Sequence, residues 1–220
     1  MTDVAIRRGA PRLRADATRN RERIIAAATE AFVEHGAEAP LDEIARRAGI
    51  GNATLYRHFP DRRELIHGVV LALLDQVVAG VEALVADSPD AFTALERFVH
   101  QTVDWKIGAL CPLLSEWMDP NDPATASARD RLDDVVEDMI EQSQAEGHLR
   151  TDVGAGDLMV IVSQITRPLP DTDPLDHARF VHRHLQLVLD GLRAPQRSVL
   201  PGTPATFEEL RRNCASHSSC

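Results

Sequence analysis

Residues 41–65, LDEIARRAGIGNATLYRHFPDRREL, constrain the fold more tightly than any other part of the chain. Leu41, Ile44, Ala45 and Ala48 recur at helical spacing, and Gly49 follows, a residue type that turns a backbone sharply at no steric cost. Leu55 and Phe59 lie four apart, on one side of a second short helix. With Leu55 set inward and about 100° per residue, Ala53, Thr54 and Arg57 point most nearly outward, flanked by Tyr56 and His58. The pattern is helix, tight turn, helix, with small, hydroxyl and cationic groups on the outer face of the second helix.

A formal charge of −10 is unusual for a nucleic-acid binder until it is divided along the chain. Residues 1–65 hold 12 Arg and 10 Asp+Glu, a balance of +2; the remainder holds 12 Lys+Arg against 24 acids, a balance of −12. Seven arginines (Arg7, Arg8, Arg12, Arg14, Arg19, Arg21, Arg23) fall in the first 25 residues against three acids. They suit either a phosphate-contacting arm or a solvated tail. No apolar run of membrane-spanning length stands out, and the N-terminus has no signal-peptide pattern, so a cytoplasmic protein without a membrane partner is expected. Cys111, Cys214 and Cys220 form neither a CxxC pair nor a disulfide framework, which suits a reducing compartment.

Apolar periods are helical throughout, so the fold class expected is all-α, with about nine helices. The first should span 18–35, with Ile25, Ala28 and Phe32 inward and Gly36 as its stop; the second should start on Pro40, and the third should span 52–58. Asp61 and Glu64 are spaced as a capping box for a long fourth helix to about 86. Further helices are expected from a Ser88 cap to 106, at 110–118, at 124–146 with Gly147 as stop, at 153–166 and at 175–192. The segment 158–162 is apolar almost all round, which predicts burial on more than one side. The domain division reads as a flexible basic arm at 1–17, a helix-turn-helix domain at 18–66, a helical ligand-binding and dimerisation domain at 67–193, and a loosely held tail at 194–220.

At Ala48-Gly49-Ile50-Gly51-Asn52-Ala53-Thr54-Leu55-Tyr56-Arg57-His58-Phe59 the chain resembles the TetR family of bacterial transcriptional regulators. The likeness extends through Pro60-Asp61-Arg62-Arg63-Glu64-Leu65, and RHLQLVLDGLRAP near the end resembles an actinobacterial-type subgroup. The resemblance implies a homodimer that binds a palindromic double-stranded DNA operator, with half-sites about 34 to 36 Å apart, and that acts as a repressor released by a small-molecule inducer. It carries DNA contacts onto Thr54, Tyr56, His58 and Arg62, and sequence choice onto Asn52 and Ala53. Asn52 can pair with adenine or serve as the helix cap, and Arg57 can reach guanine or a phosphate. Tyr56 can also pack beside Phe59 while its hydroxyl meets DNA. Ala39-Pro40 and Asp42 depart from the family pattern, since Asp42 would repel phosphate; Arg46 or Arg47 then substitutes as the contact from the second helix.

The resemblance places the dimer interface on the last two helices, at Leu158, Ile161, Val181, Leu185, Val188 and Leu192, stripes that can instead close the chain's own core. Trp105, Cys111, Leu114, Trp117 and Met118 gather large or polarizable side chains on two successive helices and are candidate pocket residues, with ordinary core packing as the other reading. His177, His182 and His184 are too badly spaced on one helix to form a metal site, and Cys214, His217 and Cys220 cluster in the tail; no metal or cofactor is expected. No glycine-rich phosphate loop, G-x-S-x-G or HExxH appears, so an enzyme is not expected. The rival readings are a helical small-molecule-processing enzyme and an interaction module that binds protein rather than DNA.

Overall fold

The computed structural model describes residues 10–108, 110, 117–119, 121–167, 174–196 and 198–210, with the side chains of 10–15 and 174–179 excepted. Arg7, Arg8, Pro168, Pro170, Cys214, His217, Cys220 and most of the helix expected at 110–118 lie outside them. Among the described residues the fold is all-α, as expected: α1 (Ala10–His35), α2 (Leu41–Arg47), α3 (Asn52–His58), α4 (Arg62–Asp87), α5 (Ala91–Asp104), α6 (Pro123–Ala145), α7 (Ala155–Ile165) and α8 (Pro174–Leu192). The chain forms two compact units that divide inside α4, after Ala72.

In the first unit α1 starts at Ala10, so part of the expected arm at 1–17 is helical. Ile24, Ala28 and Phe32 of α1 are fully buried, and Ile25 is half-buried, one position off the expected inward stripe. Ile44 and Ala45 of α2 and its C-terminal cap Ala48 meet them, with Leu55 and Phe59 of the α3 segment and Leu65, Ile66 and Val69 of α4 completing the core. Because the first two turns of α4 belong to this core, the division falls six residues beyond the expected 66. Pro40 is the cap before α2 rather than its first residue. The turn out of α2 is a Schellman motif: Ile50 N–H donates to the Ala45 carbonyl at 3.0 Å and Gly49 N–H to the Arg46 carbonyl at 3.1 Å. Gly49 sits there at φ 65°, a conformation that strains any residue with a Cβ. Asp61 caps α4 by accepting from Glu64 N–H at 2.9 Å, as the capping-box spacing predicts.

The second unit is built around Val77, Val81, Phe92, Leu95, Val99, Val136, Met139, Ile140, Leu158, Val162, Val181, Leu185 and Leu189, contributed by α4 to α8, with Leu149 from the segment between α6 and α7. Asp90, not Ser88, caps α5, accepting from Thr93 N–H at 2.7 Å and Thr93 Oγ1 at 2.9 Å, while Glu146 accepts from Ala91 N–H at 3.0 Å. The Thr93 backbone bond holds the Asp90 carboxyl below its ordinary range. Asp122 and Pro123 open α6 as cap and first residue, and Gly147, at φ 74°, closes it. Met159 and Val160 are 37% and 42% exposed, so the apolar run in α7 is not enclosed on all sides. The segment expected to be a loose tail is partly built in. Phe207 is buried in this core, and Gly156 N–H donates to the Ala205 carbonyl at 2.9 Å, an approach that leaves no room for a Cβ at 156.

One 18-residue window of α4 reaches a mean hydropathy of 2.0, long and apolar enough to cross a membrane by length and composition, contrary to the expectation from sequence. Only 17% of that window is buried; α4 places Leu65, Ile66 and Val69 in the first core and Val77 and Val81 in the second, and most of its other residues are partly or fully exposed.

Arg150 ties the end of α8 to the following segment. Its guanidinium forks onto Asp152 at 2.6 and 2.9 Å and donates to the carbonyls of Gly191 and Ser198. That fork lowers the Asp152 carboxyl to about 2. A carboxyl depressed in the folded state stabilises the fold above its unfolded pKa near 3.8, and the contribution is lost as pH falls towards 2. Denaturant midpoints measured from pH 5 to pH 2 should therefore fall less steeply for Asp152→Asn than for the unmodified chain; identical slopes would show that the pair adds nothing.

Candidate nucleic-acid interface

The α3 helix has seven residues, well below the roughly 12 to 15 at which an isolated helix becomes even marginally stable in water, so its orientation comes from what it buries. Leu55 and Phe59 are 1% and 2% exposed, and the guanidinium of Arg21 covers the Phe59 ring at 4.7 Å. This leaves Asn52, Ala53, Tyr56 and Arg57 exposed, with Thr54 and His58 partly so: Ala53 and Arg57 face outward as the spacing predicts, whereas Thr54 is less exposed and Tyr56 more exposed than expected. Tyr56 is 47% exposed. Gly51 caps the helix with its backbone, its carbonyl accepting from Thr54 N–H at 2.8 Å. Asn52 is accordingly the first helical residue and not the cap. Its amide Nδ2 donates instead to Asp42 Oδ1 at 2.6 Å.

Two of the expected DNA-contacting cations are committed elsewhere. Arg47 is fixed between two carboxylates, donating to Glu43 at 2.8 Å and Glu34 at 2.7 Å, and those partners hold its pKa above the usual arginine value. Glu43 also takes both arms of Arg46, at 2.7 and 2.8 Å, and the two arginines, Arg46 first, lower its carboxyl to about 2. Arg62 turns back onto the loop between α1 and α2, where one of its nitrogens donates to the carbonyls of Ala37 and Ala39 at 2.6 and 2.7 Å. Arg47 and Arg62, both expected to contact DNA, thus each have partners within the head in the DNA-free chain. Arg57 forms no ion pair among the described residues, which leaves it the exposed cation of α3.

In the second unit, the residues expected to meet a partner subunit are largely spent on the chain's own core. Leu158, Val181, Leu185 and Leu192 are at most 7% exposed, and Ile161 and Val188 are half-buried. Among the described residues, the exposed large apolar side chains of α7 and α8 are Met159, Val160, Phe180 and Leu187, a different face of the same helices. Of the expected pocket residues, Trp105 packs against Phe98 and over Gly80, and lines a cavity of about 470 Å³. Trp117 and Met118 are half-buried and group with the first unit, while Cys111 and Leu114 lie outside the described residues. A neighbouring cavity of about 360 Å³ is lined by Leu84, Glu96, His100, Asp104 and His182. There His182 meets His100 of α5, their Nδ1 atoms 3.0 Å apart, a pairing that the spacing of histidines along α8 could not reveal.

An exposed short helix presented by a Schellman turn from a three-helix core is a helix-turn-helix head of the DNA-binding class. Comparison with known proteins agrees. Residues 24–69 match the family model of bacterial regulatory proteins of the tetR family, and residues 90–194 match the C-terminal domain of SbtR-like transcriptional regulators. A TetR transcriptional regulator from Streptomyces coelicolor is 30% identical, with a TM-score of 0.64 over 79% of this chain and 98% of its own. A TetR regulatory protein from Mycobacterium vanbaalenii is 29% identical, with a TM-score of 0.62 over 83% and 99%. The HTH-type transcriptional activator FasR of Mycolicibacterium smegmatis is 28% identical over 182 residues, 78% of this chain and 82% of its own length. The chain belongs to the TetR family and is a DNA-binding transcriptional regulator, not an enzyme.

The position of Arg62 makes it a folding residue. Arg62→Ala should lower the unfolding free energy by about 1 to 3 kcal/mol, since two loop carbonyls lose a charged donor. Denaturant titration against Arg57→Ala, which should stay within about 0.5 kcal/mol of the unmodified chain, checks the assignment.

Proposed function

We propose that the protein works in the cytoplasm as a homodimeric repressor, with no membrane partner, bound to a palindromic operator and released when a small molecule occupies its second unit. The observation that carries this reading is the exposed α3 face, with Tyr56 at its centre and Ala53 small enough to allow a groove wall to approach. Only the major groove admits a helix and displays a distinct pattern for every base pair. Thr54 and Tyr56 serve as hydroxyl contacts, Arg57 and His58 as phosphate or base contacts, and Asn52 as a base reader.

The second copy meets the first through Met159, Val160, Phe180 and Leu187, the apolar side chains that α7 and α8 leave exposed. A two-fold pair of recognition helices then reads two half-sites about one turn apart. The inducer occupies the cavity beside Leu84, His100 and Trp105, where α4 forms part of the wall. A ligand that favours one position of α4 shifts the dimer between states that fit and do not fit the operator, to the extent that it binds those states differently. Since FasR is named an activator, the sign of regulation needs its own readout.

Full-length protein titrated onto the promoter region of its own gene should bind with an affinity that falls steeply with salt. Thr54→Ala and Tyr56→Phe should each weaken binding several-fold without changing the dimer seen by sedimentation. A promoter reporter should rise when the gene is deleted; a fall would identify an activator instead. Salt-independent binding, or full affinity in both variants, would remove α3 as the reading element.

A further inference from the structure

Asp42 and Asn52 are ten residues apart in sequence, yet the 2.6 Å bond between Asn52 Nδ2 and Asp42 Oδ1 joins the second residue of α2 to the first residue of α3. Both side chains are exposed, so the bond is not the by-product of a packed core. By itself an asparagine amide can present either its oxygen or its NH2 to a given side, and its partners decide which. A carboxylate only accepts. Asp42 therefore holds the NH2 end of Asn52 towards α2 with a charge-assisted bond, and leaves one N–H and Oδ1 available.

We propose that Asp42 is a specificity-determining positioning residue: by fixing the Asn52 amide it makes the start of α3 read adenine. Adenine offers N7 as acceptor and N6–H2 as donor in the major groove, which matches the one N–H and the oxygen that Asn52 has free. Guanine offers two acceptors, N7 and O6, and would need both amide N–H groups, one of which is already engaged. The Asp42 carboxylate adds a second penalty against guanine, because an acceptor-only anion beside O6 has nothing to receive. The same carboxylate repels phosphate, so it lowers affinity for every sequence while sharpening the choice among them. The cost that the sequence reading assigned to Asp42 thus has a counterpart in discrimination.

The inference rests on Asn52 contacting a base, and the experiment separates the two. Full-length unmodified protein, Asp42→Ala, Asp42→Asn and Asn52→Ala are each used to select sites from a random double-stranded pool at one fixed salt concentration. The unmodified protein should select one adenine per half-site, preferred over guanine by roughly tenfold or more. Asp42→Ala should keep the rest of the motif and bind all sites at least as tightly, with that preference reduced to about threefold or less. Asp42→Asn, whose amide oxygen can still accept from Asn52, should retain most of it. If Asn52→Ala erases a base preference that Asp42→Ala leaves intact, Asp42 has no positioning role, although Asn52 reads a base. If Asn52→Ala changes no position while all four proteins bind DNA, both assignments fall and DNA binding stands. If Asp42→Ala weakens every site equally with its preferences unchanged, the residue is structural and the proposal is overturned.

Discussion

The burial of Leu55 and Phe59 is the interaction on which the recognition surface depends. A seven-residue helix has too few internal bonds to hold its own place, so the two side chains it commits to the head core set its rotation about its axis. With that rotation fixed, Asn52, Ala53, Tyr56 and Arg57 face outward together. The Schellman turn at Gly49 fixes the entry angle, and the Arg62 bonds to Ala37 and Ala39 brace the loop in front of α2. Each of these elements acts on α3 through short-range geometry within the first unit.

Charge is distributed by the same logic. The head holds more arginine than acid, but several of those arginines have partners within it: Arg46 and Arg47 share Glu43, Arg47 also reaches Glu34, Arg62 is turned onto backbone carbonyls, and Arg21 lies over Phe59. Counting basic residues therefore overstates the charge available to phosphate. In the remainder some of the acids cap and tie helices, among them Asp90, Asp122 and Asp152.

Much of this was legible in the sequence because it depends on local pattern. Periodicity located α2 and α3, the capping spacing at Asp61 and Glu64 located the start of α4, and Gly36, Gly49 and Gly147 marked turns that take positive φ. What the sequence hid depends on partners distant in the chain. The commitment of Arg62 to residues 23 and 25 positions earlier, the pairing of His100 with His182 across 82 residues, and the packing of Phe207 into the second core leave no periodic trace. The apolar stripe at Leu158, Val181, Leu185 and Leu192 was legible as a stripe, but periodicity gives a buried face without saying whether its cover is the same chain or a second copy. The cap of α5 was misplaced, and the two readings of Asn52 stayed open, for a related reason: selection of Asp90 over Ser88 and backbone capping by Gly51 are settled by which atoms reach the first-turn N–H groups.

The central claim is that the outward face of α3, and not the arginines of α2, carries the electrostatic contact with DNA. The most direct measurement is the slope of log affinity against log salt concentration for operator binding by the unmodified protein, Arg57→Ala and Arg47→Ala. Each phosphate neutralised contributes about 0.9 to that slope. The account predicts that Arg57→Ala lowers the magnitude of the slope by about one contact per subunit, whereas Arg47→Ala leaves it unchanged because that guanidinium is held by Glu34 and Glu43. A slope that falls for Arg47→Ala and not for Arg57→Ala would contradict it.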